Sequence, residues 1–192
     1  MARLARVLAA IAFFATGAVP LAAGEDRVSL VPWRVLDPAA AVDAPLVLYW
    51  IPASADELRR SGMVTSYDLT LFSSRCVAMR VVRLTDSARL TQLGVGSDLP
   101  MAVLADGEGR VLGRVEAEQG TLPVVEVEEL VQEELDRREA AADALLDRAR
   151  RFAAGDDEDA ALELYGAVWE ARCLCPRQAR DAKRAMKKLA RK

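Results

Sequence analysis

Three cysteines, one serine–glutamate pair and a complete lack of histidine delimit the chemistry open to this chain. Cys173-Leu174-Cys175 is a C-x-C motif immediately before Pro176, and Cys76 lies far upstream. Such a thiol pair offers disulfide exchange or a soft-metal site. On a regular helix the two side chains would point about 200° apart, since each residue turns about 100°. They can meet only where a helix has ended, and the small ring they would close is strained and easily reduced. The competing reading is packing at a helix end, with one of the pair tied to Cys76. Three thiols in an exported chain leave one over in any case. Cys76 opens an apolar segment and reads as a core residue.

Ser54 and Glu57 could be taken as nucleophile and base. Their spacing of three is also that of a capping box, in which the serine accepts a backbone N–H and the glutamate reaches back. Helix capping accounts for both residues without invoking catalysis. The absence of histidine removes imidazole bases, Ser-His and Cys-His dyads, and histidine metal ligands. No cofactor and no metal site are expected.

The elements that must position these residues follow from the apolar pattern. Arg3 and Arg6 precede an uncharged apolar run over 7–19, and small residues at 21–24 are followed by Glu25-Asp26. This is the layout of a signal peptide over 1–24, and it predicts an exported chain, periplasmic or secreted. Its removal takes two of 26 Lys and Arg, leaving 24 against 29 Asp and Glu, a net charge of about −5. That balance argues against general nucleic-acid binding.

Beyond the signal, Trp33 to Leu36 reads as extended, and Pro45 to Ile51 as a strand buried on both faces. A helix from Ala55, interrupted near Gly62 and resumed through Ser66 to Ser74, leads to a β-branched strand over Cys76–Leu84. Strand, helix, strand in this order predicts a parallel crossover. A short helix over Asp86–Leu93 follows. Two strands, Met101–Ala105 and Arg110–Val115, flank the turn signal Asp106-Gly107-Glu108-Gly109. From Val124 the spacing is helical, with a stop at Gly155, a new cap at Asp156-Asp157, a helix over Ala160–Arg172 and a last helix from Pro176.

Two stretches carry a family resemblance. Tyr49-Trp50 closes the buried strand just before the Ser54 turn, and Leu93 to Val111 runs through a Gly-containing turn, Leu99-Pro100, a strand and a Gly-bearing hairpin. Over roughly residues 30–138 this resembles the thioredoxin superfamily. The resemblance implies an α/β, three-layer fold with a central mixed sheet, and a cis bond before Pro100. It also implies a peptide-binding groove at Trp50, Ser54, Glu57, Leu99 and Pro100. The family's C-x-x-C pair is missing: Ser54 and Glu57 stand where the cysteines would be, and neither can form or resolve a mixed disulfide. Residues 139–192 resemble a tetratricopeptide helical hairpin, through Ala149, Phe152, Gly155, Ala160, Tyr165 and Pro176, followed by a basic helix.

The expectation is therefore a signal peptide over 1–24, a thioredoxin-like domain over 25–138 and a C-terminal α-helical extension over 139–192. The expected role is a redox-inactive binding or adaptor module engaging a protein or peptide partner. The alternative is an atypical thiol oxidoreductase using Cys173 and Cys175. The last helix carries Arg177, Arg180, Lys183, Arg184, Lys187, Lys188, Arg191 and Lys192 against Asp181. This pattern suits a solvated helix, an anionic membrane surface or an acidic partner. The acidic stretch from Glu116 to Glu139 is a candidate to neutralise it within the molecule, and the solvated reading is preferred.

Overall fold

The computed structural model describes residues 30–38 and 40–191. The expected signal segment lies outside them. Five strands form one mixed sheet: β1 (Arg34–Val35), β2 (Leu46–Ile51), β3 (Val77–Val81), β4 (Met101–Asp106) and β5 (Val111–Glu116). Their spatial order is β1-β3-β2-β4-β5. β1 and β2 each pair in parallel with β3, while β4 runs antiparallel to both β2 and β5.

β2 is central, and all six of its residues are buried. Side chains alternate faces along a strand, so Leu46, Leu48 and Trp50 enter one apolar cluster while Val47, Tyr49 and Ile51 enter another. The first cluster lies under helix α2 (Tyr67–Ser74) and helix α4 (Val124–Ala154). The second includes Leu90 and Leu93 of the segment carrying α3 (Ser87–Gln92). A continuous apolar run thus becomes a strand covered on both sides.

Between β2 and β3 the chain forms α1 (Glu57–Arg60), a single 3-10 turn (Gly62–Val64) and then α2, so the interruption expected near Gly62 is present. Ser66 caps α2 by accepting the Leu69 N–H. α2 ends at Ser74, and Cys76 takes a left-handed φ of 60° in the turn that follows. Cys76 is therefore half-buried in a turn ahead of β3, and not a core residue opening the strand as the sequence suggests.

The hairpin between β4 and β5 is closed by Asp106, whose carboxylate accepts the N–H groups of Glu108 and Arg110. Gly109 supplies the φ of +82° in that turn. At Gly113 in β5, a Cβ would come within 2.5 Å of Leu130 Cδ1. The bare backbone there lets α4 seat directly on the sheet.

α4 is one helix of 31 residues, about 46 Å long at 1.5 Å per residue. Its first half buries Val127, Val131 and Leu135 against the sheet, and its second half buries Ala142, Leu146 and Ala149. α4 packs against α5 (Glu158–Glu170), and both contact α6 (Pro176–Leu189). Asp157 caps α5 through the Ala160 N–H, as its position after Gly155 suggests. The expected boundary between 138 and 139 falls inside α4, which crosses it without a break. Tyr165, Val168 and Ala182 of the last helices share one buried cluster with Leu46 and Trp50 of β2. The structure is a mixed α/β fold with a docked helical C-terminal region.

Candidate functional site

The turn leaving β2 holds the first group of candidate residues. Trp50 is wholly buried, with its ring tilted at 58° to that of Trp33 and the centroids 5.4 Å apart. Trp33 spends its indole N–H on the Met63 carbonyl at 2.7 Å. The Trp50 indole N–H is aimed at the turn instead, and donates to Glu57 Oε1 at 3.3 Å. The other carboxylate oxygen of Glu57 accepts the Ala53 N–H at 2.8 Å. The Glu57 N–H donates to Ser54 Oγ at 3.2 Å. The exchange resembles a capping box but lies ahead of the helix: α1 starts at Glu57 and its N-cap is Asp56, whose side chain makes no capping bond, so Ser54 does not cap the helix expected from Ala55. Ser54 is exposed and Glu57 half-buried. Burial raises the Glu57 pKa above the ordinary carboxylate value, and the bonds from Ala53 and Trp50 offset part of that rise.

The Leu99–Pro100 bond is cis. Pro100 is buried and Leu99 half-buried. Ile51 stands opposite Met101 in the antiparallel ladder, so the Ser54 turn and the cis bond lie at the same end of the sheet. Trp50 and Pro100 underlie that surface and do not line it, because both are covered by their neighbours. The open feature is a cleft of about 370 Å³ on the α1 side. Glu57, Arg60, Ser61 and Gly62 form one wall, and Gly120, Leu122 and Val124 the other. The second wall, contributed by the β5–α4 connection, was not evident from sequence. Its signal is local: Gln119 and Gly120 both take positive φ between the bridge partners Glu118 and Thr121.

The cysteines gather elsewhere. Cys173 is bonded to Cys76, with Cα atoms 5.8 Å apart. Cys175, the third thiol, is free and buried. Burial pushes its pKa up, and the nearby Glu139 carboxylate adds to the rise. Cys173 and Cys175 thus belong to different environments and do not form the C-x-C pair considered above. Arg75 explains the choice. Its Nε donates to the Leu174 carbonyl at 3.2 Å, and its Nη2 bonds Glu139 of α4. It thereby holds the middle residue of the motif beside the turn that carries Cys76.

The disulfide borders a cleft of about 650 Å³ together with Asp43, Pro45, Gly107, Glu170 and Arg172. This cleft adjoins the residues leading into β2, at the end of the strand opposite Ser54. Two groups of sequence-selected residues are therefore separated by the length of the sheet. Among the described residues, no group of three or more Cys, Asp or Glu side chains is arranged to hold a metal ion. No described helix is long and apolar enough to cross a membrane. No protein-family model and no curated protein sequence matches the chain.

Proposed function

We propose that this chain is an exported, redox-inactive thioredoxin-like protein that engages a protein or peptide partner as a binding or adaptor module. The strand order β1-β3-β2-β4-β5, in which β4 alone runs against the other four strands, supports the thioredoxin-like reading. So does a cis Leu99–Pro100 bond at the end of the sheet where the first crossover leaves β2. The packing of α4 on α5 across a connection of only residues 155–157 suits a tetratricopeptide-like hairpin.

One observation carries the functional reading. Where the superfamily's thiols would sit, Ser54 and Glu57 are locked into a hydrogen-bonded turn beside an open cleft. Ser54 Oγ is engaged as an acceptor, and both oxygens of Glu57 are occupied by donors. The site retains a concave surface and has given its reactive positions to structure. Leu122 and Val124 offer apolar contact, while Asp56 and Arg60 offer polar contact, a combination suited to an extended peptide segment.

Thiol exchange at Cys173 and Cys175 is the alternative. It is weakened because Cys173 is committed to Cys76, and Cys175 is buried with its thiol pKa raised. Peptides selected from a displayed library against the chain, titrated into isotope-labelled protein, test the proposal. Amide shifts should cluster at residues 53–62 and 120–124. Shifts confined to other surfaces would overturn the groove reading. Catalysed insulin reduction that is lost in Cys173→Ser would overturn the redox-inactive reading.

A further inference from the structure

The molecule around the basic helix pairs only part of its charge. Three acidic residues of 116–139 spend their carboxylates away from α6: Glu128 on Ser66, Glu134 on Arg137 and Arg138, and Glu139 on Arg75. On α6, Arg177 reaches Asp143 at 3.2 Å and Arg184 reaches Asp181 at 3.5 Å. Lys183 lies 4.5 Å from the Trp169 ring centroid. Arg180, Lys187, Lys188 and Arg191 make no ion pair among the described residues, and all seven of these cations are exposed.

At about 100° per residue, the six cations of α6 fall within an arc of about 140°, and Arg191 just past its end continues the row. From Arg177 to Arg191 the row is about 21 Å long. The opposite face of α6 is already used: Ala179 and Ala182 are buried, and Met186 and Leu189 pack on the core. The apolar stripe therefore cannot insert into a bilayer without undoing the bundle. What remains is a row of exposed cations, with no exposed large apolar side chain on α6 to act as the kind of anchor that specific protein interfaces rely on.

A cleft of about 350 Å³ opens at one margin of this row. Ala153, Tyr165, Ala185 and Leu189 make it largely apolar, and the exposed cations Arg150 and Lys188 stand at its mouth. Arg150 is shared with Asp147, while Lys188 has no carboxylate partner among the described residues. An apolar recess with cations at its entrance matches an anionic amphiphile better than it matches a nucleic-acid backbone, which has no apolar part to bury there.

We propose that the cationic face of α6 and the adjoining cleft form a peripheral docking surface for bilayers containing anionic phospholipid. Headgroup phosphates lie along Arg180, Lys187, Lys188 and Arg191, and one lipid enters the cleft at Lys188. The attraction is electrostatic, with each cation near the surface contributing about fivefold in binding at moderate salt. It fades as salt shortens the screening length. This surface is separate from the Ser54–Glu57 cleft and does not depend on the function proposed for it.

Co-sedimentation of the full chain with vesicles tests this. Two vesicle types are compared: phosphatidylcholine alone, and phosphatidylcholine with about one third phosphatidylglycerol. The expected result is binding at least tenfold stronger to the anionic vesicles at about 0.05 M salt, collapsing at about 0.5 M. The triple variant Arg180→Glu, Lys187→Glu, Lys188→Glu should lose that difference while keeping the wild-type melting temperature. The triple glutamine variant should fall between them, which separates loss of charge from loss of fold. Equal binding to both vesicle types would overturn the proposal, since any contribution of the apolar 7–19 segment is common to both. Tighter binding to a labelled DNA duplex than to the anionic vesicles, at the same salt, would overturn it in favour of a nucleic-acid partner.

Discussion

The indole N–H of Trp50 and the carboxylate of Glu57 meet across 3.3 Å, joining the buried end of β2 to the turn that follows it. This bond couples the core to the candidate binding cleft, because Glu57 lines that cleft while Trp50 lies wholly beneath it. Burial raises the Glu57 pKa. A carboxyl whose folded pKa exceeds its unfolded value binds its proton more tightly when folded. Its contribution to stability is therefore complete below the ordinary carboxylate pKa, and it is lost as pH rises through the raised one. The Trp50 indole N–H resonance should move with a midpoint above the ordinary carboxylate range. In Glu57→Gln that resonance should not titrate, and the stability–pH curve should lose this descending limb.

The Cys76–Cys173 disulfide closes a sequence separation of 97 residues and ties the α5–α6 connection to the start of β3. In the chain-entropy model a loop of that size is worth up to about 4–5 kcal/mol. Cys173→Ser should lower the unfolding free energy from urea denaturation by an amount approaching this. Cys175→Ser leaves the loop closed and should cost much less. Alkylation of the unreduced chain should add no label when it is folded and one when it is unfolded, with all three sites reacting only after reduction. A peptide map that joins Cys173 to Cys175 would refute this pairing.

Gly113 and Leu130 set the distance between β5 and α4. Gly113→Val puts two methyl groups where a Cβ alone would already press on Leu130 Cδ1. It should cost about 1–3 kcal/mol by overpacking. Leu130→Ala in the same background should recover part of that loss, and a double-mutant cycle by chemical denaturation measures the coupling. Additive losses would mean that the two sites do not press on one another.

Much of the local structure was legible in the chain because it depends on short-range rules. The unbroken apolar run at 46–51 could be satisfied only by cover on both faces, and β2 has it. The Asp106 turn, the Asp157 cap and the break at Gly62 all answer to side chains within four residues. The Ser54–Glu57 bond is equally local, but α1 starts only at Glu57, so the pair closes a turn ahead of the helix and does not cap one from Ala55.

Tertiary structure decided the rest, for reasons spacing cannot encode. Which cysteines pair depends on Arg75 holding the Leu174 carbonyl beside Cys76, a contact across 99 residues. Whether Trp50 and Pro100 line a groove or lie beneath it depends on what covers them from distant segments. Which α6 cations find a carboxylate depends on packing: Asp143 of α4 reaches Arg177, while Glu128, Glu134 and Glu139 are drawn to partners outside α6. The sequence determined the elements, their caps and the absence of the dithiol. Long-range packing alone determined that the helical region is bonded to the sheet at one end, while a thiol-free cleft stands open at the other.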